Sequence, residues 1–213
     1  MTRIAVIDYG MGNLRSVAKA LHHASPEDEV YVTSKPQDVA RADRVVFPGQ
    51  GAMAGCMAGL DEFGLRDTVL EAARNKPFLG VCMGLQMLFD NSEEGGNLPG
   101  LGIFPGKVAR FDVKGATDGL DRPLKIPKMS WNEVNYAQDH PLWRGIPDQS
   151  RFYFVHSYFA QPKNVSDTAA TTDFPDAFTS AIAKDNIFAT QFHPEKSSNA
   201  GLTLYRNFIQ WNP

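Results

Sequence analysis

The segment Phe78-Leu-Gly80-Val-Cys82-Met-Gly84-Leu-Gln86 places a cysteine between two glycines, each two residues away. A thiol becomes a nucleophile when its thiolate is stabilised, and a strand turning sharply into a helix offers two aids. The turn lifts the side chain clear of the sheet, and flanking glycines relieve clashes at Cβ. The helix N-terminus brings partial positive charge and free N–H groups to the sulfur. In that geometry Cys82 is a nucleophile and the Met83 amide faces an oxyanion; the competing reading is a buried cysteine in a packing turn. A second segment, Ala189-Thr-Gln-Phe-His193-Pro-Glu195-Lys-Ser197, sets a carboxylate two residues after a histidine. If extended backbone continues through Pro194, the two side chains share a face. Glu195 then fixes the imidazole tautomer, while His193 activates the thiol and protonates a leaving amine. Alone, this segment reads as a surface turn; beside the cysteine it completes a nucleophile, base and acid. The order along the chain departs from that of α/β-hydrolases, where the acid precedes the histidine.

Three further places bear on chemistry. Phe47-Pro48-Gly49-Gln50-Gly51 is a glycine-rich turn whose amides can supply a second oxyanion donor. Tyr153-Phe-Val-His156-Ser157-Tyr158 alternates apolar and polar groups, reading either as a polar edge for substrate or as an ordinary half-buried strand. Cys56 sits in a small-residue helix without a partner and reads as packing. Gly10-Met-Gly12-Asn-Leu-Arg15 lacks the third glycine of a dinucleotide loop and reads better as a tight turn.

These groups need a frame to hold them. Strands are expected at Arg3–Asp8, Glu29–Thr33, Asp43–Phe47 and Pro77–Cys82. Asn13 can cap a first helix whose apolar face is Leu14, Val17, Ala18 and Leu21, and two more helices fall around 52–59 and 63–74. Strands alternating with helices imply a parallel sheet covered on both faces, with ligands at the carboxyl ends of its strands. After about residue 95 the texture turns β-rich, with strands at Lys107–Asp112, Asn132–Tyr136, Arg151–Phe159, Phe178–Ala183 and Ile187–Phe192. Asp185-Asn186 suits a hairpin turn, so this part extends the sheet antiparallel. A last helix near 198–210, capped by Ser197 or Ser198, presents Leu202, Tyr205, Phe208 and Ile209 on one face.

The 213 residues fit one domain of the usual size, about 100–200 residues. A net charge of −3 offers no field for nucleic acid. The first residues lack a signal peptide's apolar region, and no run approaches the roughly 18 apolar residues of a membrane span. A cytoplasmic protein, bound neither to membrane nor to nucleic acid, is the expectation. Two cysteines are too few for a disulfide scaffold, and no spacing suits zinc; neither metal nor cofactor is expected.

Pro48-Gly-Gln-Gly51, Gly80-Val-Cys-Met-Gly-Leu-Gln86 and His193-Pro-Glu195 together resemble the class I, triad-type glutamine amidotransferases, and the likeness spans residues 1–213. Further segments resemble the branch that serves as glutaminase subunits of imidazole glycerol phosphate synthases: Asp8-Tyr-Gly-Met-Gly-Asn-Leu14, Pro127-Lys-Met-Ser-Trp-Asn-Glu133, His140-Pro-Leu-Trp-Arg-Gly-Ile146 and Tyr153–Tyr158. The resemblance implies a flavodoxin-like α/β fold, a mostly parallel central sheet with an antiparallel extension. It implies Cys82 as nucleophile, His193 as base and acid, and Glu195 as its partner. Gly51, Gln86, His156, Ser157 and Tyr158 match positions that hold glutamine, while Met83 and the Gly49–Gln50–Gly51 turn match the oxyanion hole. Asn13, Tyr153 and Lys196 match positions facing a (β/α)₈-barrel cyclase, and Lys128 joins them in a local basic patch. No barrel occurs in the chain, so the cyclase is expected on a separate one. Two residues depart from the pattern: Gln50 replaces a small apolar residue and Ser130 replaces the glycine before Trp131. Neither removes a catalytic group. Amidotransferases of anthranilate, guanylate or pyridoxal phosphate synthesis share the triad and stand as alternatives, as does a binding protein that kept the fold and lost turnover.

Overall fold

The computed structural model describes all 213 residues. In chain order the elements are β1 Arg3–Ile7, α1 Leu14–Ala24, β2 Glu29–Thr33, α2 Pro36–Arg41, β3 Arg44–Gly49, α3 Met53–Glu62, α4 Arg66–Asn75, β4 Phe78–Cys82 and α5 Met83–Gln86. There follow β5 Phe89–Ser92, β6 Leu98–Pro99, β7 Phe104–Arg110, β8 Lys128–Glu133, β9 Asn135–Tyr136, β10 Arg151–His156, β11 Tyr158–Pro162, β12 Thr168–Asp173, β13 Ala177–Lys184, β14 Ile187–Thr190 and α6 Ser198–Gln210.

One sheet runs β2-β1-β3-β4-β14-β13-β11-β7-β5-β6, with β12 and β9 branching from β13. From β2 to β14 every pairing is parallel; from β14 through β13 and β11 to β7 it is antiparallel. The expected parallel sheet with an antiparallel extension is therefore the observed one. Strand side chains alternate between faces, and here each face has its own core. Val46, Leu79 and Val81 pack with Val17 and Leu21 of α1 and Leu204 and Phe208 of α6. Val45, Phe47 and Phe78 pack on the other side with Met53 and Leu60 of α3 and Val69 of α4.

Several expectations need correction. Asn13 and Ser197 stand at the N-caps of α1 and α6, yet neither side chain caps; Ser197 Oγ instead donates to the His193 carbonyl. Ala20 replaces Ala18 on the buried face of α1, and on α6 Leu204 is fully buried while the expected Leu202 packs against the core partly exposed. The stretch Arg151–Phe159 is two strands in two sheets. β10 pairs with β8 in a separate two-stranded sheet, whereas β11 joins the main one. The break falls at Ser157, whose carbonyl accepts from the Phe111 amide.

Candidate active site

The carboxyl ends of β3, β4 and β14 lie side by side, Gly49 in register with Cys82 and Val81 with Thr190. Cys82 ends β4 with φ 56° and ψ −109°, a conformation that is costly for any residue bearing a Cβ. Glycines make room for it. A Cβ on Gly84 would lie 1.8 Å from the Phe47 carbonyl oxygen, and one on Gly80 would lie 2.8 Å from Ala189 Cβ. The helix expected after the cysteine is a single turn, Met83–Gln86. The carbonyls of Met87 and Leu88, which would continue it, accept instead from the amides of Leu101, Ile103 and Phe104. One turn aligns few peptide dipoles, so stabilisation of a thiolate falls more heavily on side chains.

His193 follows β14, with Nδ1 2.8 Å from Glu195 Oε1. Extended backbone does not bring them together, since Pro194–Lys196 forms a 3-10 turn; the turn folds the carboxylate back onto the ring. Tyr205 of α6 donates to the second Glu195 oxygen at 3.4 Å. The backbone around His193 is pinned as well: its amide donates to the Tyr153 carbonyl, and Ser197 Oγ accepts from the Tyr153 amide. Accepting from Nδ1–H, the carboxylate leaves Nε2 as the atom that exchanges protons with a reacting group. Nε2 is buried without a hydrogen-bond partner. Burial by itself lowers the imidazole pKa, but coupling to Cys82, followed by Glu195, outweighs it and pushes the value up to about 10.

His156 behaves oppositely. Complete burial pushes its pKa down to about 3, so the ring is neutral. Its Nδ1–H donates to the Tyr158 carbonyl at 2.8 Å, leaving Nε2 as a buried acceptor with no partner. Gln86 Oε1 is a second such acceptor. Both line a pocket of about 230 Å³ together with Gln50, Gly51, Cys82, Met83, Glu94, Ser157, Tyr158 and His193. That is below the roughly 300 Å³ at which drug-sized sites begin, and it suits a small molecule. The amides of Gln50 and Gly51 make no hydrogen bonds, so donors at the turn and acceptors at Gln86, His156 and Glu94 face one space. An amino acid presents the matching set, with a carboxylate and carbonyl to accept and an ammonium to donate.

The predicted pocket residues thus come together, with Gly49 supporting the turn and Glu195 behind His193. Sequence reasoning missed Glu94, whose carboxylate accepts from the Met53 amide at 2.7 Å, along with Tyr205 and Gln191. Of the residues expected on a partner face, Asn13, Tyr153 and Lys196 are half-buried, with Lys196 Nζ 5.8 Å from the centroid of the Tyr153 ring. Lys128 is not on the surface: it is 1% exposed. Its ammonium lies 4.5 Å from the Phe174 ring centroid and donates to Ser130 Oγ and Asn132 Oδ1. Burial there pushes its pKa down to about 8. The basic patch loses this member, and the exposed residues of β8 are Met129, Trp131 and Glu133, the first two apolar.

Residues 5–211 match the family model of class-I glutamine amidotransferases. The chain belongs to that family. Among its relatives, the imidazole glycerol phosphate synthase subunit HisH of Nitrosospira multiformis is 58% identical over 213 residues, covering all of both chains. The protein of the same name from Aromatoleum aromaticum is 60% identical over 215 residues, again covering both in full. That from Thiobacillus denitrificans is 57% identical over 99% of this chain and 92% of its own. Among solved structures, PurLQS from Thermotoga maritima superposes with a TM-score of 0.70 at 15% identity, covering 99% of each chain. A glutamine amidotransferase superposes at 0.69 and 17% identity over 97% of each. At such identities these two speak for the amidotransferase fold alone. No helix is long and apolar enough to cross a membrane.

Proposed function

We propose that this chain is the glutaminase subunit of an imidazole glycerol phosphate synthase of histidine biosynthesis, working in the cytoplasm on L-glutamine. The observation that carries the chemistry is the convergence of Cys82 and His193, the latter backed by Glu195, on a pocket at the strand ends whose free donors and acceptors match an amino acid. The relatives at 57–60% identity favour this pathway over others that use the same triad. The Cys82 thiolate attacks the side-chain amide carbon of glutamine, and the amides of Met83 and of the Gly49–Gly51 turn stabilise the oxyanion. His193 protonates the departing ammonia through Nε2, leaving a γ-glutamyl thioester. The same nitrogen then takes a proton from water, which hydrolyses the thioester to glutamate. The α-ammonium meets the Glu94 carboxylate, with Gln86 Oε1 and His156 Nε2 completing that end of the pocket.

Ammonia released to bulk water protonates and ceases to be a nucleophile, so a separate cyclase of (β/α)₈-barrel fold receives it directly. The cyclase forms imidazole glycerol phosphate and aminoimidazole carboxamide ribotide. Reconstitution with such a cyclase tests the reading. Cys82→Ala should abolish glutamine-dependent product while free ammonium still supports the reaction. Glutamine-dependent turnover surviving in that variant would defeat the assignment. The Cys56→Ala variant should lose little, because that thiol is buried in the core, donates to the Gln50 carbonyl and does not line the pocket.

A further inference from the structure

Gln191 lies between β14 and His193 and is fully buried, as is Gln86. Two primary amides sealed from water need hydrogen-bond partners, and these two find each other. Gln86 Nε2 donates to the Tyr158 carbonyl at 2.9 Å and to Gln191 Oε1 at 3.0 Å. Gln191 Nε2 lies 3.8 Å from Cys82 Sγ, within hydrogen-bond reach of a sulfur. The direction of this chain is dictated by chemistry. A backbone carbonyl can only accept, so the Gln86 atom against Tyr158 is nitrogen. That same nitrogen forces the Gln191 atom facing it to be oxygen, and the remaining NH₂ of Gln191 faces the sulfur. Hydrogen bonds donated in series polarise one another. Gln86 Oε1 is left open to the pocket.

We infer that Gln191 is a catalytic residue: it donates a hydrogen bond to Cys82 Sγ that stabilises the thiolate, and Gln86 is the positioning residue that holds it in that orientation. The inference rests on Cys82 being the nucleophile. The titratable groups that sense Cys82 are His193, Cys56 and Tyr9. His193 is the one that brings positive charge, and it gives up its proton during the reaction. Gln191 donates a hydrogen bond to the sulfur, and it cannot exchange a proton at any working pH. It therefore favours the thiolate at every stage without competing for the proton that His193 carries.

The test is the pH dependence of Cys82 alkylation by iodoacetamide, followed by mass spectrometry on the full chain without substrate or partner. In Gln191→Leu the midpoint of the rate profile should move up by about one pH unit, the tenfold worth of a hydrogen bond to a charged group. In Gln191→Glu, which keeps the shape and replaces the donor by a carboxylate, it should move further. The plateau rate at high pH should rise by about threefold, since a thiolate of higher pKa is intrinsically the better nucleophile. A merely structural role would alter the unfolding temperature and leave the midpoint in place. A midpoint unmoved in the Glu variant overturns the inference even if the Leu variant does not fold. Absence of glutamate release by the wild-type chain with its cyclase would count against the proposed function instead, so the two failures are separable.

Discussion

Opposing forces meet at the imidazole of His193. Burial draws its pKa down, whereas Cys82 and then Glu195 draw it up, and the second pair prevails, giving a value of about 10. Because this lies above the ordinary value of about 6.5, the imidazolium contributes stability that is fully present below about pH 6.5 and is lost as pH rises through the folded value. Cys82 is the larger of the two raising influences. NMR titration of the ring should therefore show a lower midpoint in both Cys82→Ala and Glu195→Gln, with the greater fall in Cys82→Ala. A ring still titrating near 10 without the thiol would refute this account. As members of the candidate site, Cys82 was legible through its flanking glycines, and His193 with Glu195 through their two-residue separation, although a 3-10 turn rather than extended backbone joins that pair. Glu94, Gln191 and Tyr205 were not. Each reaches the site through tertiary packing, and in sequence Gln191 looks like any polar residue near a strand end. Lys128 was misread for the same reason, since its concealment depends on Phe154 and Phe174, far along the chain.

Among the elements, the junction of β4 with α5 is the tightest, and its tolerance can be measured. The Cβ of Gly84→Ala would meet backbone, the Phe47 carbonyl, at 1.8 Å, so β3 must shift. Overpacking of that kind costs about 3 kcal/mol at the upper end of its usual range, which for a domain of this size lowers the melting temperature by roughly 6–12 °C. Gly119→Ala, where an added Cβ meets nothing within 4 Å, is the matched control and should melt within about 2 °C of wild type. Equal melting temperatures for the two variants would mean that the close approach at Gly84 is not what constrains the junction. The parallel strands were legible because each is a short apolar run bounded by helix signals. The partition of 151–162 between two sheets was not, because alternation continues through Ser157 and only the pairing partners, β8 on one side and β7 and β13 on the other, distinguish β10 from β11.

Across the whole molecule, the two-stranded sheet of β8 and β10 stands apart from the twelve-stranded one and carries much of the exposed apolar surface near the site. Met129 and Trp131 are 62% and 40% exposed, and the Trp131 and Tyr153 rings meet edge to face at 6.1 Å, with Lys196 over Tyr153. Tyr153 is in turn bonded through its backbone to His193 and Ser197. A cyclase seated on Trp131 and Tyr153 would thus press on the backbone that fixes His193, a direct route from docking to the proposed catalytic residues. Large half-exposed aromatics dominate the energetics of interfaces, where truncation of an anchor costs about 2 kcal/mol or more, close to thirtyfold in affinity. Trp131→Ala should weaken binding to the cyclase by that order in a titration, and glutaminase activation should be recovered at saturating partner. The isolated variant should melt close to wild type, because the lost contacts lie on the surface. Undiminished affinity would move the docking face elsewhere, whereas full affinity with lost activation would assign Trp131 to transmission of the signal.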